Sequence, residues 1–261
     1  ILRRFHEKGI YFRPLRTKPI LTDEDIADRF VFGEVNKDKP EVFWEKSIDL
    51  HQDCKKFQVY LNGKTRARAA SEGMRGAYRM LGDGDGLKSP YVKGAKHLKW
   101  NPGAPGVIVL AGVKAGKVIL WHYIDGKRWN AKTASECYAG PVLKCLKKHY
   151  PTRRSYTILE DNDPVGFKTK LAEKTKADLK MKMFPIPKRS PQLMVLDFAI
   201  WHEVNTRMRA QEKKWRVTKK ETRAGYLKRL RRTAMNLPAS FVSKSIRSLK
   251  KRRQALYDAK G

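Results

Sequence analysis

Acids are scarce in this chain. Its 261 residues include 26 Asp and Glu against 58 Lys and Arg, a formal net charge of +32. Repulsion on that scale opposes a compact fold unless an anion screens it, so a polyanion, nucleic acid first, is the expected partner. Cysteine is scarcer still. Cys54, Cys137 and Cys145 are an odd number without zinc-ligand spacing, which excludes a disulfide framework and suits a reducing compartment. Long apolar runs and lipidation signals are missing, so no membrane partner is expected. No signal peptide opens the chain, because Arg3 and Arg4 are followed by no apolar stretch. Ile1 stands where Met would begin a complete chain, which reads as a fragment or a processed form. There is no internal repeat and no low-complexity tract. What is present argues for a folded core: 41% of the residues are hydrophobic and 10% aromatic, too many for disorder. The length fits one large domain or a domain with basic appendages.

The basic residues are unevenly placed. From Arg207 to Gly261 there are 19 Lys and Arg and three acids, half of the excess charge. The opening residues, about 1–19, are basic and carry Pro14 and Pro19, which reads as an arm. Thr22 followed by Asp23, Glu24 and Asp25 predicts a capped helix start, with Ile26, Phe30 and Val31 inward and Gly33 as its end. Alternation predicts strands over 47–53 and 57–61. Apolar runs over 106–113 and 118–124, joined by Gly116-Lys117, predict a hairpin in the middle of a sheet. A helix over 133–149 would bury Tyr138, Val142, Cys145 and Leu146. A strand over 155–160, an amphipathic segment over 164–178 and a short strand over 182–186 follow. The last helix, over 193–214, carries a stripe of Leu196, Ala199, Ile200, Val204 and Met208. The order of elements predicts an α/β layer architecture with a mixed sheet.

In so basic a chain each acid is informative. Asp53 ends the first predicted strand, Asp161 and Asp163 follow the strand over 155–160, and Asp197 sits early in the last helix. Acids at strand ends and on a neighbouring helix can converge beside a sheet, where they repel unless a divalent cation neutralises them. Oxygen ligands suit Mg²⁺ or Mn²⁺, and two such ions support phosphodiester chemistry. Spacing alone leaves open the alternative that these acids cap helices or pair with surplus Lys and Arg. Gly82-Asp83-Gly84-Asp85-Gly86 lacks the later bidentate acid of a calcium loop and reads as a turn. His122 and His202 have no second ligand at useful spacing and are expected to be structural, as is Trp201.

Several motifs together resemble the mariner-type DNA transposases. Asp161-Asn162-Asp163-Pro164 is similar to their Asp-Asn-x-Pro motif. Residues 185–193, followed by Leu196-Asp197 and Trp201, resemble their Trp-Pro…Ser-Pro-Asp-Leu-Asn-Pro-Ile-(Glu/Asp)…Trp segment. Asp161 and Asp197 are 36 positions apart, close to the family's second-to-third acid spacing. Residues 9–22 are similar to the family's interdomain linker. Val109 to Gly112, Gly116-Lys117 and Trp129-Asn130-Ala131…Tyr138 match its hairpin and helix. Met235-Asn236-Leu237-Pro238 and the basic end match its C-terminus.

The resemblance implies a ribonuclease-H-like mixed sheet flanked by helices. It also implies DNA cutting and rejoining by three acids with two Mg²⁺ or Mn²⁺. Asp161 and Asp197 take the second and third places. Asp53 takes the first through Asp53-Cys54-Lys55-Lys56-Phe57, where Cys54 replaces the family's Glu and Asp49 is a rival. Asp163 is a rival to Asp161 better suited to capping a helix. Gly166 stands near where the family often has His. Gln192, Met194 and Val195 replace Asp, Asn and Pro, and the family's N-terminal helix-turn-helix domain has no counterpart.

The expected organisation is a basic arm over 1–21, a transposase-like domain over 22–206, and a basic helical extension over 207–261. Residues 66–105 form an insertion where the family carries a loop that clasps its dimer partner. Expected nucleic-acid contacts are Arg13, Arg16, Lys188, Arg189, Lys213, Lys214, Arg216, Lys219, Lys220, Arg229, Arg231, Arg232, Lys250, Lys251, Arg252 and Arg253, with Trp215 or Tyr226 stacking on bases. Two functions follow. One is a nuclear DNA transposase, with a possible homodimer. The other is a domesticated, non-catalytic RNA-binding component of a large ribonucleoprotein, such as a mitochondrial ribosome with rRNA as its partner.

Overall fold

A computed structural model describes residues 2–14, 16–18, 21–63, 76–80, 92–94, 106–216 and 218–261, with backbone only at 2, 11–14, 16–18, 76–80 and 92–94. The turn expected at 82–86 and most of 66–105 lie outside the described residues, as do the side chains of Arg13 and Arg16. The chain divides into two compact units. The smaller comprises residues 1–21, 60–104 and 216–221. Its described elements are the helix Leu2–Glu7, the antiparallel pair of Ile10–Pro14 with Gly76–Met80 and the parallel pair of Arg16–Lys18 with Val92–Gly94.

The larger unit comprises residues 22–59, 105–215 and 222–261. It opens with α1 (Asp23–Val35) and α2 (Glu41–Lys46). Strand β1 (Leu50–Gln58) follows, then β2 (Gly106–Lys114) and β3 (Lys117–Ile124). Helices α3 (Ala131–Cys137) and α4 (Leu143–His149) are joined by a π-helical turn, Tyr138–Val142. After β4 (Tyr156–Leu159), α5 (Lys170–Asp178) and β5 (Met181–Phe184) come α6 (Trp201–Lys213), α7 (Arg223–Met235), α8 (Ala239–Arg247) and α9 (Leu249–Asp258).

The five strands form one mixed sheet in the order β3-β2-β1-β4-β5. The first three pair antiparallel, and β1, β4 and β5 run parallel. Helices cover both faces. Leu50, Leu110, Ile158 and Met181 join Tyr138, Val142, Leu146 and Ala172 in the core on one side. On the other, the rings of Phe57, Trp121 and Trp201 meet with centroids 5.6–6.0 Å apart. The wide turn in the α3–α4 helix is where Pro141 lacks the N–H of a regular ladder.

Several boundaries differ from the sequence reading. The two strands expected at 47–53 and 57–61 are one continuous strand, β1, so Asp53 lies inside it. Lys55 and Lys56 interrupt the apolar alternation, but their partners Val109 and Ile108 keep the ladder intact. The stem of Lys56 lies over Gly106, where a Cβ would come within 2.5 Å of it.

Helix α1 has the expected Thr22 cap, with a reciprocal bond between Thr22 and Asp25. The expected inward face is wrong, however. Ile26 and Val31 are exposed, while Asp25, Arg29 and Phe32 are buried. Gly33 does not end α1. A Cβ there would lie 3.0 Å from Tyr257, so this glycine lets α9 approach closely, with Phe30 stacked on Tyr257 at 5.3 Å. The amphipathic segment expected from residue 164 becomes helical only at Lys170, capped by Thr169. The last predicted helix begins as a short turn, Pro191–Leu193, then a π-helical turn, Leu196–Ile200. Of its expected stripe, Leu196, Ile200, Val204 and Met208 are fully buried and Ala199 is half-buried.

Candidate active site

The parallel ladder between β1 and β4 is short. It pairs Leu50 with Ile158 and His51 with Leu159, and then stops. Just beyond that point the two strands carry Asp53 and Asp161. The π-helical turn before α6 brings Asp197 to the same place, and a turn of this kind displaces a side chain from regular helical register. All three aspartates line one cavity of about 660 Å³. Asp163, Asn162, Cys54, Trp129 and Phe167 share its near wall, and 186–191 with Met194 form the far wall.

Each acid is held differently. Asp53 is 6% exposed. Its Oδ2 accepts the indole N–H of Trp201 at 2.7 Å, and its Oδ1 accepts the backbone N–H of Cys54 at 2.6 Å. Burial pushes its pKa up to about 8; Asp197 and Asp161 add to the rise, and the Trp201 bond opposes it. Asp161 is half-buried and accepts the Asp163 N–H at 3.2 Å. Its pKa rises to about 6, first by burial and then by the charges of Asp163, Asp197 and Glu160. Asp197 is the acid open to solvent. Partial burial of its carboxyl raises its pKa and Lys55 opposes the rise. The thiol of Cys54 is pushed up by burial and by Asp53, so it stays protonated.

The two rivals have other work. Asp49 does not line the cavity. One oxygen pairs with Arg153 and the other accepts the Thr157 N–H at 2.8 Å. Asp163 lines the cavity, but its oxygens are taken by three N–H groups: Trp129 at 2.7 Å, Gly166 at 2.9 Å and Val165 at 3.0 Å. It therefore caps the turn over 163–168 rather than the next helix. Gly166 makes that turn possible, because a Cβ there would lie 2.2 Å from the Trp129 nitrogen. The far wall is tied down from α1. Arg29 donates to the Arg189 carbonyl at 3.1 Å, Arg189 pairs with Asp25 at 2.5 Å, and Asn162 donates to the Ile186 carbonyl at 2.8 Å.

The three aspartates supply oxygen only, as Mg²⁺ or Mn²⁺ requires; burial raises the pKa of each, and the charge of Asp197 adds to the rise at Asp53 and Asp161, a cost a cation removes. Their donor chemistry suits such an ion, while among the described residues no group of three or more His, Cys, Asp or Glu is arranged to hold one. His122 and His202 do not line this cavity.

The expected nucleic-acid contacts divide in two. Lys188, Lys213, Lys214, Arg216, Lys219, Lys220, Arg231, Arg232, Lys250 and Lys251 are exposed, and Arg189 is exposed while paired to Asp25. Arg229 and Arg253 are not surface cations. Arg229 is buried against Glu212 at 2.8 Å, and Arg253 is 1% exposed and donates to the Lys37 carbonyl at 2.6 Å. The guanidinium of Arg252 lies 3.6 Å from the Phe198 ring centroid. Tyr226 is buried and donates to the Gln58 carbonyl, so it cannot stack on a base, and Trp215 already faces Arg229. Counting basic residues cannot separate these groups, because a buried Arg and a solvated one look alike in a run of charge. The sequence reading placed Trp201 in the core but missed its bond to Asp53, which spans 148 positions and leaves no local pattern.

No protein-family profile matches the chain, and no curated protein matches it by sequence. Solved structures do match. The catalytic domain of Mos1 mariner transposase superposes with a TM-score of 0.61 at 14% identity, covering 92% of this chain and 96% of that one. The Mos1 paired-end complex with Mn gives 0.66 at 14% identity, over 100% of this chain and 70% of that one. The Mos1 strand transfer complex gives 0.64 at 16% identity, over 100% and 69%. With its 3-2-1-4-5 mixed sheet and flanking helices, this chain has the ribonuclease-H-like fold of the mariner transposase catalytic domain.

Proposed function

We propose that this protein cuts and rejoins DNA at the cavity that holds Asp53, Asp161 and Asp197. The observation that carries the reading is the convergence of three aspartates from β1, the end of β4 and the turn before α6 on one cavity. Asp53, Asp161 and Asp197 would hold two Mg²⁺ or Mn²⁺ ions. Such ions activate a nucleophile and stabilise the leaving oxygen of a phosphodiester. The chain's own residues orient and gate. Trp201 and the Cys54 N–H fix the Asp53 carboxyl, and without a cation burial favours its protonated form. Asp163 fixes the turn that presents Asp161. Lys188 lies exposed on the rim, where it suits a DNA phosphate. In the reaction, water's oxygen bonds to phosphorus as the ester oxygen leaves as a 3′-hydroxyl. That hydroxyl then attacks a phosphodiester of a second DNA, whose own 3′-oxygen leaves. The compartment for this reading is the nucleus.

Nicking of supercoiled plasmid tests the proposal. The wild type should nick with Mn²⁺ or Mg²⁺ and not with EDTA, and Asp161→Asn and Asp197→Asn should fall to background. Equal nicking by all three proteins, or none by the wild type with either ion, sinks it.

A second reading, an RNA-binding structural component of a ribonucleoprotein such as a mitochondrial ribosome, draws support from two observations. The charge of +32 far exceeds what one cavity needs, and both oxygens of Asp53 already accept hydrogen bonds. Sedimentation of cell extract with and without ribonuclease separates the two. A heavy species that ribonuclease dissolves favours the second reading, and a free species excludes it.

A further inference from the structure

Behind the three aspartates lies a second polar cluster that the chemistry above does not use. Gln52, Tyr138, Glu160 and Lys176 are each at most 2% exposed. Gln52 immediately precedes Asp53 on β1, and Glu160 immediately precedes Asp161 past the end of β4. Gln52 Nε2 donates to Glu160 Oε2 at 2.8 Å and to the Tyr138 hydroxyl at 3.2 Å. That hydroxyl donates to Glu160 Oε2. Lys176 on α5 donates to Glu160 Oε1 at 2.6 Å and to the Phe167 carbonyl at 2.8 Å.

The location is the informative part. The backbone ladder joining β1 to β4 ends at His51–Leu159. The next residue on each strand is Gln52 and Glu160, and their side-chain bond links the strands where the ladder no longer does. One position further come the two aspartates. This side-chain bond is thus the link between β1 and the end of β4 that lies next to the two aspartates. Gln52 is only half satisfied where it sits. Its Oε1 is buried with no partner among the described residues, a cost that an apolar side chain of similar size would avoid.

We infer that Gln52, Tyr138 and the Glu160–Lys176 pair are positioning residues: a buried clamp that sets the separation of Asp53 and Asp161 and so the affinity of the site for a divalent ion. The inference rests on the reading that these aspartates bind such an ion. Groups that hydrogen-bond a ligand directly typically alter metal affinity 10–100-fold when removed; the clamp acts one residue away, so the lower end of that range is expected.

The test measures Mn²⁺ binding to the whole chain by electron paramagnetic resonance of the free ion, alongside thermal melting. Gln52→Leu should weaken Mn²⁺ binding about tenfold, with little loss of melting temperature, since it also removes the orphaned oxygen. Tyr138→Phe, which deletes one hydroxyl and keeps the ring, should weaken binding in the same direction. Leu146→Ala is the control, because it lowers stability from the same core without touching the clamp. It should leave Mn²⁺ affinity within about twofold of wild type. If Gln52→Leu and Tyr138→Phe bind Mn²⁺ as the wild type does, the clamp is refuted while the site stands. If the wild type binds no Mn²⁺, or Asp161→Asn binds it equally well, the site reading fails and the clamp falls with it.

Discussion

Asp53 and Glu160 are both nearly fully buried, at 6% and 2% exposure, yet their surroundings are opposite. Glu160 has a lysine, a tyrosine hydroxyl and an amide pointed at it. Asp53 has two N–H donors but, among the described residues, no cation bonded to it, and two further carboxylates raise its pKa. A chain with so many Lys and Arg has no shortage of counter-charges. On the function proposed above, the three acids gathered at one cavity take an external cation, whereas Glu160 receives a buried Lys from the chain itself. Glu160 belongs to the framework. Asp49 makes the same point from the same sequence neighbourhood, since it sits four positions before Asp53 and is neutralised by Arg153.

The sharpest way to break the contrast is to strip the framework acid of its partner. Lys176→Met leaves the Glu160 charge buried and uncompensated, which should cost about 3–5 kcal/mol. Chemical denaturation should register it as a large fall in midpoint. The double variant Glu160→Gln/Lys176→Met removes both charges and should recover most of that loss. If Lys176→Met alone is harmless, Glu160 is not the compensated acid described here.

A smaller effect is expected at the turn behind Asp161. In Gly166→Ala the new Cβ would lie 2.2 Å from the Trp129 nitrogen, so the indole must leave Asp163. Overpacking of this kind costs about 1–3 kcal/mol. Asp163→Asn, which keeps the shape of the turn, should cost less. Equal melting temperatures for Gly166→Ala and the wild type would contradict the packing.

The pH dependence of stability distinguishes the two acid environments more gently. The Asp53 pKa is raised to about 8 in the fold from an ordinary 3.8. The folded state therefore holds a proton that the unfolded chain releases between those values, and stability falls as pH rises through that window. In EDTA, the melting temperature should decline between about pH 5 and 8, and Asp53→Asn should flatten that decline. Saturating Mn²⁺ should oppose it, because the cation takes the place of the proton. A slope unchanged in Asp53→Asn would place its source elsewhere.

Much of this was legible in the residues, and the failures have physical causes. The β2–β3 hairpin, the 133–149 helix and the buried stripe of α6 were readable because apolar periodicity is a local signal. The motifs also pointed to Asp53, Asp161 and Asp197, which the fold brings to one cavity. The inward face of α1 was misread because its buried positions are Asp25 and Arg29, a polar pair that ties down the far wall through Arg189 and Ser190. β1 was split because two lysines with apolar stems look like a break. The Gln52–Glu160 clamp was missed because its members are 108 positions apart, and neither Gln nor Glu announces burial by type.

The basic tail carries the smallest predicted effect and the clearest lesson about counting charge. Lys250 and Arg253 lie three positions apart on α9, yet Lys250 is exposed and Arg253 is 1% exposed. Lys250→Ala should change stability by no more than about 0.5 kcal/mol. If this face meets a nucleic-acid backbone, it should lower the slope of log affinity against log salt by about 0.9 for DNA duplex. Arg253→Ala should behave in the reverse manner. It removes the bond to the Lys37 carbonyl that holds the end of α9 near α1, so it should lower stability and leave the salt slope alone. An Arg253→Ala protein with wild-type stability and a reduced slope would mean that this guanidinium leaves its buried bonds to meet phosphate, and α9 would then have to open to release it.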